Sequence, residues 1–287
     1  MRRLLLAVVM FGTAAGAQAA DMPDFLRGSL QPASTPTRNW DGWYAGGQVG
    51  YSSTSDDMST SVVGLTNQIF RGTNFLQPAS QLPLLGKVTA QGTGFGGFVG
   101  RNYQWDDIVL GIEANYNYVN LSSTSSASIG PIQLGSLPGD SPPPNTTYEN
   151  YLGLTGSSTA TVKDAITFRG RAGWATGDFL PYIFGGLAVG RIDVTRSVTS
   201  SAGRQEYYTD STGTTYLGNF SFPQISTTLS QGRSNNFVAG WTAGLGMEYM
   251  LWGNIFMRGE WEYIKFMSVE NTVVTMNSVH AGIGYKF

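Results

Sequence analysis

The chain has no cysteine and a single histidine, and charged residues fill 13% of its 287 positions, about half the ordinary share. The missing thiols exclude a disulfide framework and a thiolate metal site. One imidazole leaves no di-histidine set for zinc. The 17 basic and 19 acidic residues lay down no cationic footprint for nucleic acid. Long apolar runs are missing as well. No segment beyond the N-terminus reaches the ~18 consecutive apolar residues of a spanning helix. Aromatics, by contrast, stand at 13%, too many for a disordered chain. Glycine, at 38 residues, is about twice as frequent as usual. So little charge cannot cover a water-facing globule, and one face of the chain is expected to meet something other than water.

The N-terminus reads as an address. Arg2 and Arg3 precede an apolar run from Leu4 to Phe11, and Ala17-Gln18-Ala19 fits a small-x-small cleavage site. Residues 1–19 are therefore predicted to be a cleaved export signal. Residues 20–39, with Pro23, Pro32 and Pro36 among Ser, Thr and Ala, read as a linker.

From residue 40 to 287 the dominant signal is a period of two, which marks half-buried strands. Eight such stretches are expected. In the first, Trp43, Ala45, Val49 and Tyr51 alternate with Gln48 and Ser52. In the third, Ile108, Leu110, Ile112, Tyr116 and Tyr118 alternate with Glu113, Asn115 and Asn117. The fourth sets Ile166, Phe168, Ala172 and Trp174 against Arg169 and Arg171; the sixth sets Phe237, Trp241, Leu245, Met247 and Tyr249 against Thr242 and Glu248. The seventh opposes Ile255, Met257, Trp261 and Tyr263 to Arg258, Glu260 and Glu262. The eighth opposes Val279, Ile283, Tyr285 and Phe287 to Ser278, His280 and Lys286. The second, about 91–103, turns Phe95, Val99, Tyr103 and Arg101 outward. The fifth, about 180–195, carries apolar residues in both phases, so its faces stay open.

Tight turns near 105–107, 177–179 and 252–254 alternate with long Ser/Thr-rich gaps, the longest at 123–160 and 196–235. Structureless loops of that length argue against a soluble domain. They suit an outer-membrane barrel, which joins an even number of strands by short periplasmic turns and long extracellular loops. The aromatics sort toward two rims, with Trp43, Tyr103, Trp105, Trp174, Tyr182, Tyr249, Trp252, Tyr285 and Phe287 expected at the lower one. The predicted fold is all-β: an eight-stranded antiparallel transmembrane β-barrel. Its lumen is expected to hold Glu113, Arg169, Arg171, Glu248, Arg258, Glu260, Glu262, His280 and Lys286 as a polar network. Eight strands leave an interior that side chains can fill, and buried charges are expected to pair.

The stretches Trp40 to Tyr51, Gly94 to Gln104, Val109 to Glu113, Arg169 to Trp174, Leu180 to Ala188 and Gly240 to Tyr249, with the terminal Gly284-Tyr285-Lys286-Phe287, carry a resemblance. The chain resembles the small porin-like outer-membrane proteins of alphaproteobacteria, the RopB-type surface antigens of the OmpA-like barrel group. The resemblance covers the strands and leaves out the long loops. It implies residence in the Gram-negative outer membrane, lipid and lipopolysaccharide as surroundings, and a structural, surface-exposed role without enzymatic activity. It also implies that Tyr285 and Phe287 form the signal read by the barrel-assembly machinery.

Other chemistry is thinly represented. Gly92 to Gly97 matches G-x-G-x-x-G, but it lies within a strand instead of opening a helix, which is not a dinucleotide fingerprint. Ser278 and His280 lack a third partner placed by spacing, and they point to the lumen, away from lipid substrates. No cofactor is expected, since a lone histidine gives weak support to haem ligation. Two alternatives stand beside the structural role. One is a small-solute channel, and the other is binding of an outside ligand such as haem, or of a host surface, through the loop tyrosines Tyr148, Tyr151, Tyr207, Tyr208 and Tyr216.

Overall fold

The computed structural model describes residues 38–287; the export signal and the linker up to residue 37 lie outside the described residues. The strands are β1 (Gly42–Asp57), β2 (Lys87–Trp105), β3 (Ile108–Gly135), β4 (Thr146–Trp174), β5 (Phe179–Thr209), β6 (Thr215–Trp252), β7 (Ile255–Phe266) and β8 (Val273–Lys286). Each pairs antiparallel with the next, and β1 pairs with β8 to close the barrel. The three tight turns fall where the sequence places them. Gly177 and Gly253 take φ of 58° and 55° there, a conformation that glycine adopts without a steric cost.

Outward positions form an apolar band. Trp43, Trp105, Trp174, Trp252 and Phe287 are exposed at its lower rim, and Tyr51, Phe95, Tyr118, Phe237 and Tyr263 lie toward its upper rim. Alternation decides this, because successive side chains leave opposite faces of a strand. The fifth strand resolves in the same way. Ile183 and Leu187 face out, while Tyr182, Phe184 and Ala188 are buried inside. This corrects the expectation that Tyr182 joins the lower girdle. Its ring occupies lumen space left free by Gly246, where an added Cβ would meet the Tyr182 ring at 2.6 Å.

The long gaps also differ from the expectation of structureless loops. Two of them are continuous β-hairpins: β3 and β4 run on together to Gly135 and Thr146, and β5 and β6 to Thr209 and Thr215. In this extension the polarity is inverted. The outside carries hydrogen-bonded cross-strand pairs, Ser122–Thr161, Thr124–Thr159, Ser197–Ser230 and Thr199–Thr228, at 2.8–3.1 Å. The inside carries buried Leu121, Leu152, Leu154, Val162, Ile192, Val194 and Val198. Register shifts at Tyr118/Leu121, Val162/Asp164 and Ile192/Val194 mark the change of level. In β4 the extra residue turns the even positions from outside to inside, as a bulge must. In β3 no such flip occurs, and the sequence itself changes phase between Tyr118 and Val119.

The third long connection, 58–86, contains α1 (Val63–Ile69) and α2 (Leu76–Ser80). Val62, Leu65, Phe70, Ala79, Leu84 and Leu85 from this segment are buried in one cluster with the inner faces of β3 to β6. The connection thus closes the upper lumen. Neither helix is long and apolar enough to cross a membrane; the apolar outer band lies on the strands.

Candidate functional site

The lumen is built in layers. At the short-turn end, Trp40, Val109, Leu180, Met250 and Phe256 form an apolar floor. The rings of Trp40 and Tyr44 stand edge-on to Phe256 at 6.3 and 6.0 Å. Glycine makes room for these rings on the facing strands. An added Cβ at Gly46 would lie 2.3 Å from Phe98, and at Gly284 2.3 Å from Phe256, so the high glycine content is partly a packing requirement.

Above the floor lies the charged layer. Every member points inward by alternation, and each is nearly inaccessible. Glu113 on β3 accepts from three guanidiniums, Arg169 at 2.5 Å, Arg258 at 3.0 Å and Arg171 at 3.2 Å. Arg171 forks onto Glu248 at 2.7 and 2.8 Å. Arg169 and Arg258 both reach Glu260, at 2.6 and 2.8 Å. Glu262 accepts from Thr242 at 2.8 Å and stands 3.5 Å from Arg169 and 3.4 Å from the His280 imidazole. The network links β3, β4, β6, β7 and β8 across the barrel. Bidentate, charge-assisted geometry of this kind is the arrangement that makes burial of charge tolerable.

The structure therefore brings together Glu113, Arg169, Arg171, Glu248, Arg258, Glu260, Glu262 and His280. It does not bring in Lys286. That ammonium sits at the lower rim and donates to the backbone carbonyls of Asn39 and Asp41 at 2.8 and 3.0 Å. Its strand has reached the barrel end, and the chain entering β1 passes within its reach. Tyr285 on β8 and Phe287 just past its end stand outside, their rings edge-on at 5.2 Å.

Several partners were not singled out by the sequence reading. Tyr44 donates to Glu113 at 2.7 Å, and Gln48 accepts from Arg258 at 2.8 Å and donates to Asn117 at 2.6 Å. Three aromatic faces cover the guanidiniums: Phe98 under Arg258 at 3.6 Å, Phe184 under Arg169 at 3.9 Å and Tyr182 under Arg171 at 4.0 Å. Such contacts are strongest where water is excluded. The available signal was aromatic residues occurring in the polar phase of a strand.

Higher up, Ser52 and Ser278 bond at 2.8 Å. Asp56 is buried beside Ser123. Its level is above the outward apolar band, which ends on β1 at Tyr51. Burial pushes its carboxyl up to about 6, and the hydrogen bonds from Ser123 and Thr54 only partly offset this. The apolar plug of α1, α2 and the hairpin interiors comes next. Among the described residues no group of three or more acidic or histidine side chains is placed to hold a metal ion.

A family model described as an outer membrane protein β-barrel domain matches residues 4–287. The 31 kDa outer-membrane immunogenic protein of Brucella melitensis is 24% identical over 306 aligned positions, covering all of both chains. The 25 kDa outer-membrane immunogenic protein of Brucella ovis is 24% identical over 67% of this chain and 62% of its own. Among solved structures, Neisserial surface protein A aligns over 86% of this chain and 97% of its own, at 13% identity and a TM-score of 0.33.

Proposed function

The chain belongs to the outer membrane protein β-barrel domain family, and from that premise we propose a closed, non-conducting barrel that anchors and displays a folded surface structure without catalysing a reaction. It is an outer-membrane protein of the surface-barrel kind. One observation carries the rest of the reading: the lumen is filled along its length. Trp40 and Phe256 form the floor, the Arg/Glu network fills the middle, and Leu65, Phe70 and Leu84 pack with the hairpin interiors at the top. Solute passage would require breaking buried ion pairs as well as displacing a packed apolar plug.

The inverted extension supports display. A sheet with a Ser/Thr exterior and an apolar interior is built for water, and it stands above the lipid band on β3 to β6. Relatives named as immunogenic outer-membrane proteins fit that exposure. In this reading the lumenal network has a structural role, joining strands across the barrel. Tyr285 and Phe287 act as the signal for the assembly machinery, and lipopolysaccharide surrounds the upper rim. Loop-borne binding of an outside ligand, haem included, has no specific observation in its favour.

The test is single-channel recording of the refolded protein in planar bilayers, with folding verified by heat-shifted gel mobility. The expected record is silent. Steady ohmic steps from folded protein would overturn the plugged-barrel reading.

A further inference from the structure

Toward its short-turn end the lipid-facing band holds one charged side chain among the described residues, Arg101 on β2. Its register neighbours are Trp43 on β1 and Ile112 on β3. The guanidinium lies 4.9 Å from the Tyr103 ring and 5.6 Å from the Trp43 ring, turned toward the short-turn end. Its Nε is buried without a hydrogen-bond partner, and no carboxylate pairs with it among the described residues. A lone cation on the lipid face is disfavoured by an amount that falls toward the interface. Aromatic faces stabilise the ion but leave its hydrogen-bond donors open.

Immediately beside it the barrel wall is hollow. A groove of about 390 Å³ is lined by Trp43, Gly100, Ile112, Ala114, Phe168 and Gly170. The hollow exists because small residues fall between large ones. Gly170 follows Ile112 in register on β4, and an added Cβ there would meet nothing closer than a backbone oxygen at 4.0 Å. The glycine is therefore not needed for packing inside the protein.

We propose that Arg101 and this groove form one binding site for a phospholipid of the leaflet at the short-turn end, its phosphate on the guanidinium and an acyl chain along the groove. Charge complementarity selects the occupant. An unpaired guanidinium at an interfacial level matches a phosphate with its planar array of donors, and the apolar hollow adjoining it matches the chain attached to that phosphate. A second copy of this chain would have to place a carboxylate at the same level, yet no outward carboxylate of the strands lies at that level among the described residues; the outward Asp164 stands near the upper rim beside Tyr118 and pairs with Arg191. The inference rests on the short turns facing the periplasm. The barrel itself is checked separately in the test.

The test is native mass spectrometry of the full protein released from detergent after incubation with dioleoyl phosphatidylglycerol, with dioleoyl phosphatidylcholine in parallel. Wild type is expected to retain one phosphatidylglycerol, and to retain phosphatidylcholine less. Arg101→Leu removes the charge and keeps an apolar outer face. Gly170→Leu fills the groove in open space. Each is expected to lower retention several-fold while keeping heat-shifted mobility, and Arg101→Lys is expected to be intermediate. Equal retention by wild type and Arg101→Leu would overturn the proposal. So would loss in only one of the two leucine variants, because headgroup and chain are assigned to a single site.

Discussion

Glu113 illustrates what a single carboxylate does here. It lies at the meeting point of Arg169, Arg171 and Arg258 and also accepts from Tyr44 and Asn115. Removing its charge leaves three buried guanidiniums short of an acceptor, and breaking a buried pair in this way typically costs about 3–5 kcal/mol. Glu113→Gln is expected to lower the urea midpoint of the refolded barrel in vesicles correspondingly, whereas Glu149→Gln at the hairpin surface should shift it little. Asp56 behaves in the opposite sense. Its carboxyl is raised from 3.8 to about 6, so between those values the folded barrel holds a proton that the unfolded chain has released. Stability therefore falls as pH rises through that window and is level above it. Asp56→Asn is expected to stabilise the protein at pH 8, by at most about 3 kcal/mol, and to have no effect near pH 3.5. A variant equally stabilised at both pH values would contradict the assignment.

At the level of elements, the connection between β1 and β2 acts as a stopper. α1 and α2 are too short to be stable alone; packing of Leu65, Phe70 and Ala79 onto the hairpin interiors holds them. Replacing residues 59–85 with a short Gly/Ser link is expected to uncover that apolar surface. The readout is binding of a hydrophobic dye together with faster proteolysis between residues 120 and 160, while heat-shifted mobility persists. The free edges of the extension show how the same elements avoid unwanted pairing. Among the described residues, β3 above the bulges has no partner on its β2 side and β6 none on its β7 side. The β3 stretch carries Pro131, a residue without a backbone donor, as open edges commonly do.

Taken whole, the molecule has two storeys of opposite polarity on shared strands. Below the bulges it is apolar outside and holds a charged layer over an apolar floor inside; above them it is mainly apolar inside and polar outside. Because the lower storey contains the closed ladder, the floor and the ion network, it should assemble without the upper one. A variant lacking the 59–85 stopper and cut back to short turns in place of 122–160 and 195–233 is expected to insert into vesicles and keep heat-shifted mobility. Failure of that variant to fold, with the parent folding in parallel, would show that the upper storey is required for closure.

The sequence by itself determined the barrel. Period-two alternation, tight turns at three places and aromatic rims depend only on neighbours along the chain, and they place Glu113, Arg169 and Glu260 on one face. It could not show that Glu248 forks onto Arg171 although Arg258 is its register neighbour, that Tyr182 stacks inside, or that Lys286 stays at the rim. Nor could it reveal the upper storey, because strands rich in Ser, Thr and Gly, with apolar residues spaced among them, have the composition of a loop. Those matters are decided by contacts between strands far apart in sequence, and by bulges that exchange inside for outside. Only closure of the sheet brings such groups together.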